Sequence, residues 1–181
     1  MHEMTASNLR SSYGGESMAA MRYTVWASKA GNENLPNVQR LFRATAHSEQ
    51  IHAWNHFTQL ANVPGNATVT AGAGFGLAKT VDHLEWAAGG EGLEIDEMYP
   101  MYILAAEAQG EKGAVNSMKK ALEAEKVHLA LFRKAKAAVE AGGDFEDTPI
   151  HVCDMCGFTM HGDAPDECPL CGAKKADFIT F

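Results

Sequence analysis

Two stretches decide how this chain folds: Glu49-Gln50-Ile51-His52 and Glu125-Lys126-Val127-His128. Residues i and i+3 share a helix face, so each stretch aims a carboxylate and an imidazole at one spot. Both lie inside stripes of helical period. The first runs Val38, Phe42, Thr45, Glu49, His52, His56; the second runs Met118, Leu122, Glu125, His128, Phe132, Ala135. Two more stripes carry carboxylates: Leu9, Tyr13, Glu16, Ala20, Tyr23, Ala27, and Leu84, Ala87, Glu91, Glu94, Met98, Ala105. A soluble protein rarely buries Glu unless a cation offsets the lost hydration. Five Glu and two His on core stripes therefore predict a pair of metal ions.

Working outward, the stripes predict four helices. The first spans Ala6 to Ala30, stopping at Gly31-Asn32. The second runs from about Leu35 to Ala61 and ends at Val63-Pro-Gly-Asn. The third runs from Lys79 to Gln109, weakened by Gly89, Gly90 and Gly92 and kinked at Pro100. The fourth covers Ala114 to Glu140. The stretch Asn62 to Gly76 is rich in Gly, Ala and Thr and has no helical period. It reads as the long crossover of a ferritin-like bundle. One Glu from each of two helices, plus Glu-x-x-His from each of the others, is the ligand pattern of carboxylate-bridged di-iron bundles. Here the third helix offers two Glu.

From Ile150 the texture changes. All four cysteines fall in two knuckles, Cys153-Asp-Met-Cys156-Gly157 and Cys168-Pro-Leu-Cys171-Gly172. Two such knuckles close a tetrahedral thiolate cage on one ion, and their spacing suits zinc and iron equally. So short a segment needs that metal to fold. The glycine after each second cysteine lets backbone amides approach the sulfurs. A redox metal pair upstream needs electrons, and this favours iron. The expected division is a bundle over 1–145 and a thiolate domain over 146–181.

Composition narrows the function. At 181 residues the chain has room for one full domain and a small one, and a net charge of −8 argues against nucleic acid or anionic membrane as partners. No apolar run is long enough to span a bilayer, and the first residues lack a secretory pattern. With every Cys in a knuckle, none is left for disulfides, which suits a reducing cytoplasm.

The ordered set Gly15-Glu-Ser, Met21-Arg-Tyr23, Glu49-x-x-His52, Glu91-x-x-Glu94, Met98-Tyr-Pro100, Ala124-Glu-x-x-His128 and both Cys knuckles resembles the rubrerythrin family over nearly the whole chain. The resemblance implies a mainly α, four-helix ferritin-like bundle with two non-haem irons. A rubredoxin-like domain follows, with one iron on Cys153, Cys156, Cys168 and Cys171. It implies that Glu49 and Glu125 bridge the metals, with Glu16, Glu91, Glu94, His52 and His128 as further ligands. Glu94 and His52 would exchange on one iron with redox state. Tyr23 and Tyr99 would hydrogen-bond to the carboxylates. It implies reduction of hydrogen peroxide to water in oxidative-stress defence. Electrons would come from an external rubredoxin or reductase, through a homodimer in which one chain's thiolate site faces the other's di-iron site. Lys126, Val127 and Leu129, and the Gly-rich crossover, depart from common family versions.

Two other functions compete. A ferritin-type ferroxidase or iron store shares the bundle but has no use for the cysteines. A structural zinc-ribbon interaction module leaves the buried Glu and His unexplained. His56 reads as a core or supporting histidine. His2, His47, His83, His151 and His161 read as surface or structural, Asp96 and Glu97 as a solvated face, and Trp26, Trp54 and Trp86 as core or interface.

Overall fold

The structure, a computed structural model, describes residues 1–181. Helix α1 (Glu3–Asn32) and helix α2 (Pro36–Gln59) form an antiparallel hairpin, with Pro36 in the first turn of α2. Asn34 makes the bend in left-handed backbone, φ 59°, a conformation Asn tolerates better than most residues. The chain then crosses over. Val69 packs against Gly14 near the start of α1, and the Gly76 carbonyl accepts a hydrogen bond from Trp26 Nε1 at 3.1 Å. From Gly14 to Trp26 is about 18 Å of helix at 1.5 Å per residue. The crossover therefore runs alongside α1 and returns the chain to the end where α2 began. This is the long connection expected over Asn62 to Gly76.

Helix α3 (Thr80–Leu93) starts there, and its first amide, that of Thr80, donates to Glu33 at 3.0 Å. Gly89, Gly90 and Gly92 do not interrupt it. The break comes later. A π-helical turn spans Glu94–Met98, and helix α4 (Tyr99–Ala108) follows with Pro100 in its first turn. The expected kink at Pro100 is thus a π turn just before it. Proline offers no amide, and the wider turn absorbs that missing bond. The π turn also shifts the register by one residue. The stripe expected at Met98 and Ala105 is occupied instead by Tyr99, Ile103 and Ala106, all buried. Helix α5 (Lys112–Glu140) returns antiparallel and completes the bundle.

Large side chains fill the α1–α2 end of the core. Trp26, Tyr23, Phe42 and Phe132 are fully buried and meet edge-on or tilted, with ring centroids 5.3–6.0 Å apart. Tyr13, placed on the α1 stripe by its period, lies at the edge and packs on Phe57 at 5.3 Å.

The linker after α5 is pinned to α2. Asp144 accepts hydrogen bonds from the Asn37 and Val38 amides at 2.8 and 3.2 Å, so it caps α2 from a distance. The C-terminal part is a three-stranded antiparallel sheet in the order β2-β1-β3: β1 (Ile150–Cys153), β2 (Thr159–His161) and β3 (Phe178–Thr180). Ile150 and Val152 of β1, with Phe145, pack into the bundle's own core. This fixes the sheet against α2 and α5.

Candidate metal centres

At mid-bundle, the buried carboxylates and imidazoles converge. Glu16 comes from α1, Glu49 and His52 from α2, Glu91 from α3, and Glu125 and His128 from α5; all are buried. They form two groups that share Glu49 and Glu125: Glu16, Glu49, His52 and Glu125, and Glu49, Glu91, Glu125 and His128. Within each group the ligand atoms lie within 4.8 Å of one another. Two tetrads sharing two carboxylates could hold two adjacent ions.

Hydrogen bonding alone does not satisfy this cluster. His52 Nδ1 lies 2.9 Å from both Glu49 and Glu125, and His128 Nδ1 lies 2.6 Å from Glu125 Oε2 and 3.2 Å from Glu49 Oε1. Yet His128 Nδ1, both Glu125 oxygens, Glu49 Oε1 and Glu16 Oε2 are buried without an aligned hydrogen-bond partner. Lone pairs of opposing groups point into the same space. That is the arrangement a shared cation requires, and oxygen with imidazole suits iron.

The electrostatics agree. Burial, reinforced by the neighbouring carboxylates, pushes Glu16, Glu91 and Glu94 well above the ordinary carboxylate range. Burial opposes charge on His52 and His128 too, but Glu49 and Glu125 overcome it and raise both imidazoles. Burial likewise works against an ionised Glu125, and the two histidines outweigh it and hold Glu125 low. Five carboxyl groups and two imidazoles packed in a dry site cannot all take their metal-binding, deprotonated forms without added positive charge. Two metal dications would supply it.

Glu94 stands apart from both tetrads. It lies in the π turn, is only half-buried, and its nearest charged neighbours are other carboxylates. Tyr23 donates to Glu91 at 2.7 Å, and Tyr99 donates to Glu16. Sequence reasoning missed the next link. His56 Nε2 is 2.9 Å from the Tyr99 hydroxyl, and Ser117 Oγ is 2.9 Å from His56 Nδ1. Burial pushes His56 down to about 3, so it is neutral. Because Tyr99 donates to Glu16, His56 must donate from Nε2 and accept from Ser117. The one signal in the sequence was His56 falling on the ligand stripe, one turn after His52.

The cysteines make a second, separate cage. Cys153 and Cys171 sulfurs are 3.6 Å apart, and those of Cys156 and Cys168 3.7 Å, with no disulfide. A tetrahedron with metal–sulfur bonds of about 2.3 Å has edges of about 3.8 Å. The two knuckles repeat one turn, with Gly157 donating to the Cys153 carbonyl at 2.8 Å and Gly172 to the Cys168 carbonyl at 2.9 Å. Gly157 and Gly172 have φ of 80° and 79°. They turn the Phe158 amide onto Cys156 and the Ala173 amide onto Cys171.

The first knuckle touches the bundle site of the same chain. Ser48 donates to the Gly157 carbonyl at 2.5 Å, Asn55 to the Met155 carbonyl at 3.1 Å, and Thr159 Oγ1 meets His128 Nε2 at 2.8 Å. A methyl group at Gly157 would overlap His52 Nε2. Other residues divide. His47 pairs with Asp154 at 3.0 Å, and His83 takes the structural role of the two expected for it, buried and stacked on Trp26 at 4.8 Å. Trp26 is core, Trp86 is at the surface, and Trp54 exposes 71% of its area. Asp96 and Glu97 are exposed.

A four-helix bundle with a Glu/His di-metal cluster, joined to a thiolate knuckle sheet, defines a ferritin-like di-iron carboxylate protein fused to a rubredoxin-like module. Residues 7–136 match the family described as Rubrerythrin, and residues 151–179 match the rubredoxin-like domain of rubrerythrin. The chain is 46% identical to Rubrerythrin-2 of Clostridium acetobutylicum over 98% of its own length and 97% of the relative's. It is 30% identical to Nigerythrin of Nitratidesulfovibrio vulgaris, covering 98% of this chain and 86% of that one. A solved structure of fully reduced, all-ferrous nigerythrin superposes with a TM-score of 0.87 at 29% identity, over 98% of this chain and 86% of that one. The chain belongs to the rubrerythrin family.

Proposed function

We propose that this chain is a non-haem di-iron peroxidase that reduces hydrogen peroxide to water, drawing electrons through its four-thiolate iron site. The observation that carries this reading is the coexistence of two shared-ligand Glu/His tetrads with a Cys tetrad lying against them. A ferroxidase needs only the first, and a zinc ribbon only the second.

Glu49 and Glu125, the residues common to both tetrads, are the bridging ligands in this reading. Glu16 and His52 would hold one ion, Glu91 and His128 the other, and Glu94 would be the ligand that exchanges with His52. Its place outside the tetrads, in a π turn, supports that role. When bound, two irons would supply one electron each, the two electrons that peroxide reduction requires. The protein supplies the rest. Tyr23 and Tyr99 orient Glu91 and Glu16, and the Ser117–His56–Tyr99 chain can pass a proton towards Glu16. Aromatic packing around Tyr23 keeps bulk water out. Thr159 fixes the His128 ring and ties it to the Cys156 knuckle, a short route for electrons.

The functional units in this reading are residues 1–145 and 146–181. The external donor is a rubredoxin or a reductase, and the working form is a homodimer or larger homo-oligomer. No helix is long and apolar enough to cross a membrane, and four unpaired cysteines support a reducing cytoplasmic setting.

Metal analysis with visible spectroscopy tests the proposal. About three irons per chain should be found, one with ferric thiolate charge-transfer bands. Peroxide should then reoxidise the anaerobically reduced protein faster than oxygen does. Faster oxidation by oxygen would mark a ferroxidase, and zinc in the knuckles with no bundle metal would mark a structural module.

A further inference from the structure

We propose that the peroxidase site also reduces organic hydroperoxides with an apolar tail, the tail lying in a groove roofed by the crossover. This rests on the peroxidase reading and extends it to a second substrate class.

The groove is a cavity of ≈ 750 Å³ between residues 70–74 of the crossover, α1, α3 and the π turn. Hydrogen peroxide needs a small fraction of that space. Trp26, Trp86, Leu93, Met98 and Met101 give the cavity an apolar wall. Its lining also holds Glu94 and Arg22, and Glu94 Oε2 and Arg22 Nε are both shut off from water without hydrogen-bond partners. One is an acceptor and the other a donor. A hydroperoxide needs that pair, its O–H donating to the carboxylate and its alkyl-bearing oxygen accepting from the guanidinium. The Arg22 guanidinium is held 5.4 Å from the centre of the Trp26 ring, so the donor is fixed. Two α3 residues beside this wall, Gly89 and Gly90, have nothing within 4 Å of a Cβ placed on them. The space over α3 therefore exists because these side chains are absent. The sequence flagged these glycines as helix weaknesses, yet α3 runs through them unbroken. Keeping the groove open gives them a purpose.

The reaction balances as ROOH + 2 e⁻ + 2 H⁺ → ROH + H₂O. The O–O bond breaks, both electrons come from the reduced metal pair already used for hydrogen peroxide, and the alkyl-bearing oxygen leaves as the alcohol. The other oxygen becomes water.

The test uses the full-length, iron-loaded protein with hydrogen peroxide and cumene hydroperoxide, beside the Gly90→Leu and Gly89→Leu variants. Leucine favours helix over glycine, so both variants should fold; circular dichroism verifies this. Wild type should reduce cumene hydroperoxide with a kcat/KM within about tenfold of that for hydrogen peroxide. Filling the groove should lower the ratio of the two constants by about tenfold or more, the usual discrimination of an apolar pocket. A second readout does not depend on turnover. The product 2-phenyl-2-propanol should shift the emission of Trp26 and Trp86 saturably in wild type and not in Gly90→Leu. Inertness towards cumene hydroperoxide alone, or a ratio unchanged in both variants, overturns this inference and leaves the peroxidase reading intact. Inertness towards both peroxides overturns the reading beneath it, and this inference with it.

Discussion

The two metal centres are built by opposite strategies. The thiolate cage is local: four cysteines from one short segment, with two glycines of nearly equal φ turning backbone amides onto the sulfurs. The bundle site is assembled over distance, with ligands running from Glu16 to His128 on separate helices. The cage segment has little core of its own, only Phe178 and the sulfurs at its centre, so its metal acts as its core. The bundle has a large aromatic and alanine core of its own. There, folding brings the carboxylates together and the metal relieves their repulsion. One site is made by its ion; the other is waiting for it.

That difference can be broken most severely at the cage. Cys168→Ser should unfold residues 150–181 and abolish the ferric thiolate bands, because metal binding on the order of 10 kcal/mol is what folds such a segment. Far-ultraviolet circular dichroism should still report an intact bundle. Loss of helix in this variant would mean that the two sites are one folding unit.

Next comes Glu125→Ala. It removes a carboxylate common to both tetrads, so bundle iron should fall towards zero. Peroxide turnover should drop by more than about a hundredfold, beyond the usual loss from a supporting residue. Helix content and the thiolate spectrum should stay. Iron analysis of the purified variant decides it, and retention of two bundle irons would contradict the bridging role.

Gly157→Ala acts where the two centres touch. Alanine must adopt φ near 80° and place its methyl on His52 Nε2. The cost should be about 1–3 kcal/mol, seen as a lower Tm. Both sites should keep their metal while electron transfer between them slows. An unchanged transfer rate would show that the knuckle contact is not the route.

The smallest effect is in pH. In the metal-free protein, Glu16, Glu91, Glu94, His52 and His128 all titrate above their ordinary values. A raised group stabilises the fold below its unfolded pKa and loses that contribution as pH rises through the folded value. Two groups run the other way. His56 and Glu125 are lowered, so they contribute fully above their unfolded values and lose stability only as pH falls. Above about pH 7 both are at full strength, since unfolded His titrates near 6.5. In the bundle only the raised groups change there; in the knuckle Cys153, lowered to about 5, gains its contribution over the same interval and is one group against five. The metal-free Tm should therefore fall from pH 7 to 9, while the iron-loaded Tm should not, because ligation needs those groups deprotonated. Calorimetry on both forms checks the sign.

The same contrast explains what could be read from the chain. The cage was legible because its geometry lies within a motif: Cys-x-x-Cys-Gly carries both the ligands and the backbone turn. The Glu-x-x-His pairs were legible because helical period alone puts both side chains on one face. What lay beyond reach depended on non-local packing. The stripe through Glu91 could be followed only to the π turn, where one extra residue moved the inward position from Met98 to Tyr99. The Ser117–His56–Tyr99 chain joins three helices through buried hydroxyl and imidazole contacts that no spacing announces. The linker to the knuckle is held by Asp144 capping α2, a contact across more than a hundred residues. The large groove beside Glu94 depends on where a loop without period comes to rest.

Mössbauer spectroscopy of the anaerobically reduced, iron-loaded protein, frozen after one equivalent of hydrogen peroxide, addresses the paired tetrads most directly. Two electrons should leave the bundle pair, giving a coupled diferric signal that later recovers as electrons arrive through the thiolate iron. A bundle signal that stays ferrous while peroxide disappears, or isolated uncoupled ferric ions in its place, would contradict a shared-carboxylate pair as the site of peroxide reduction.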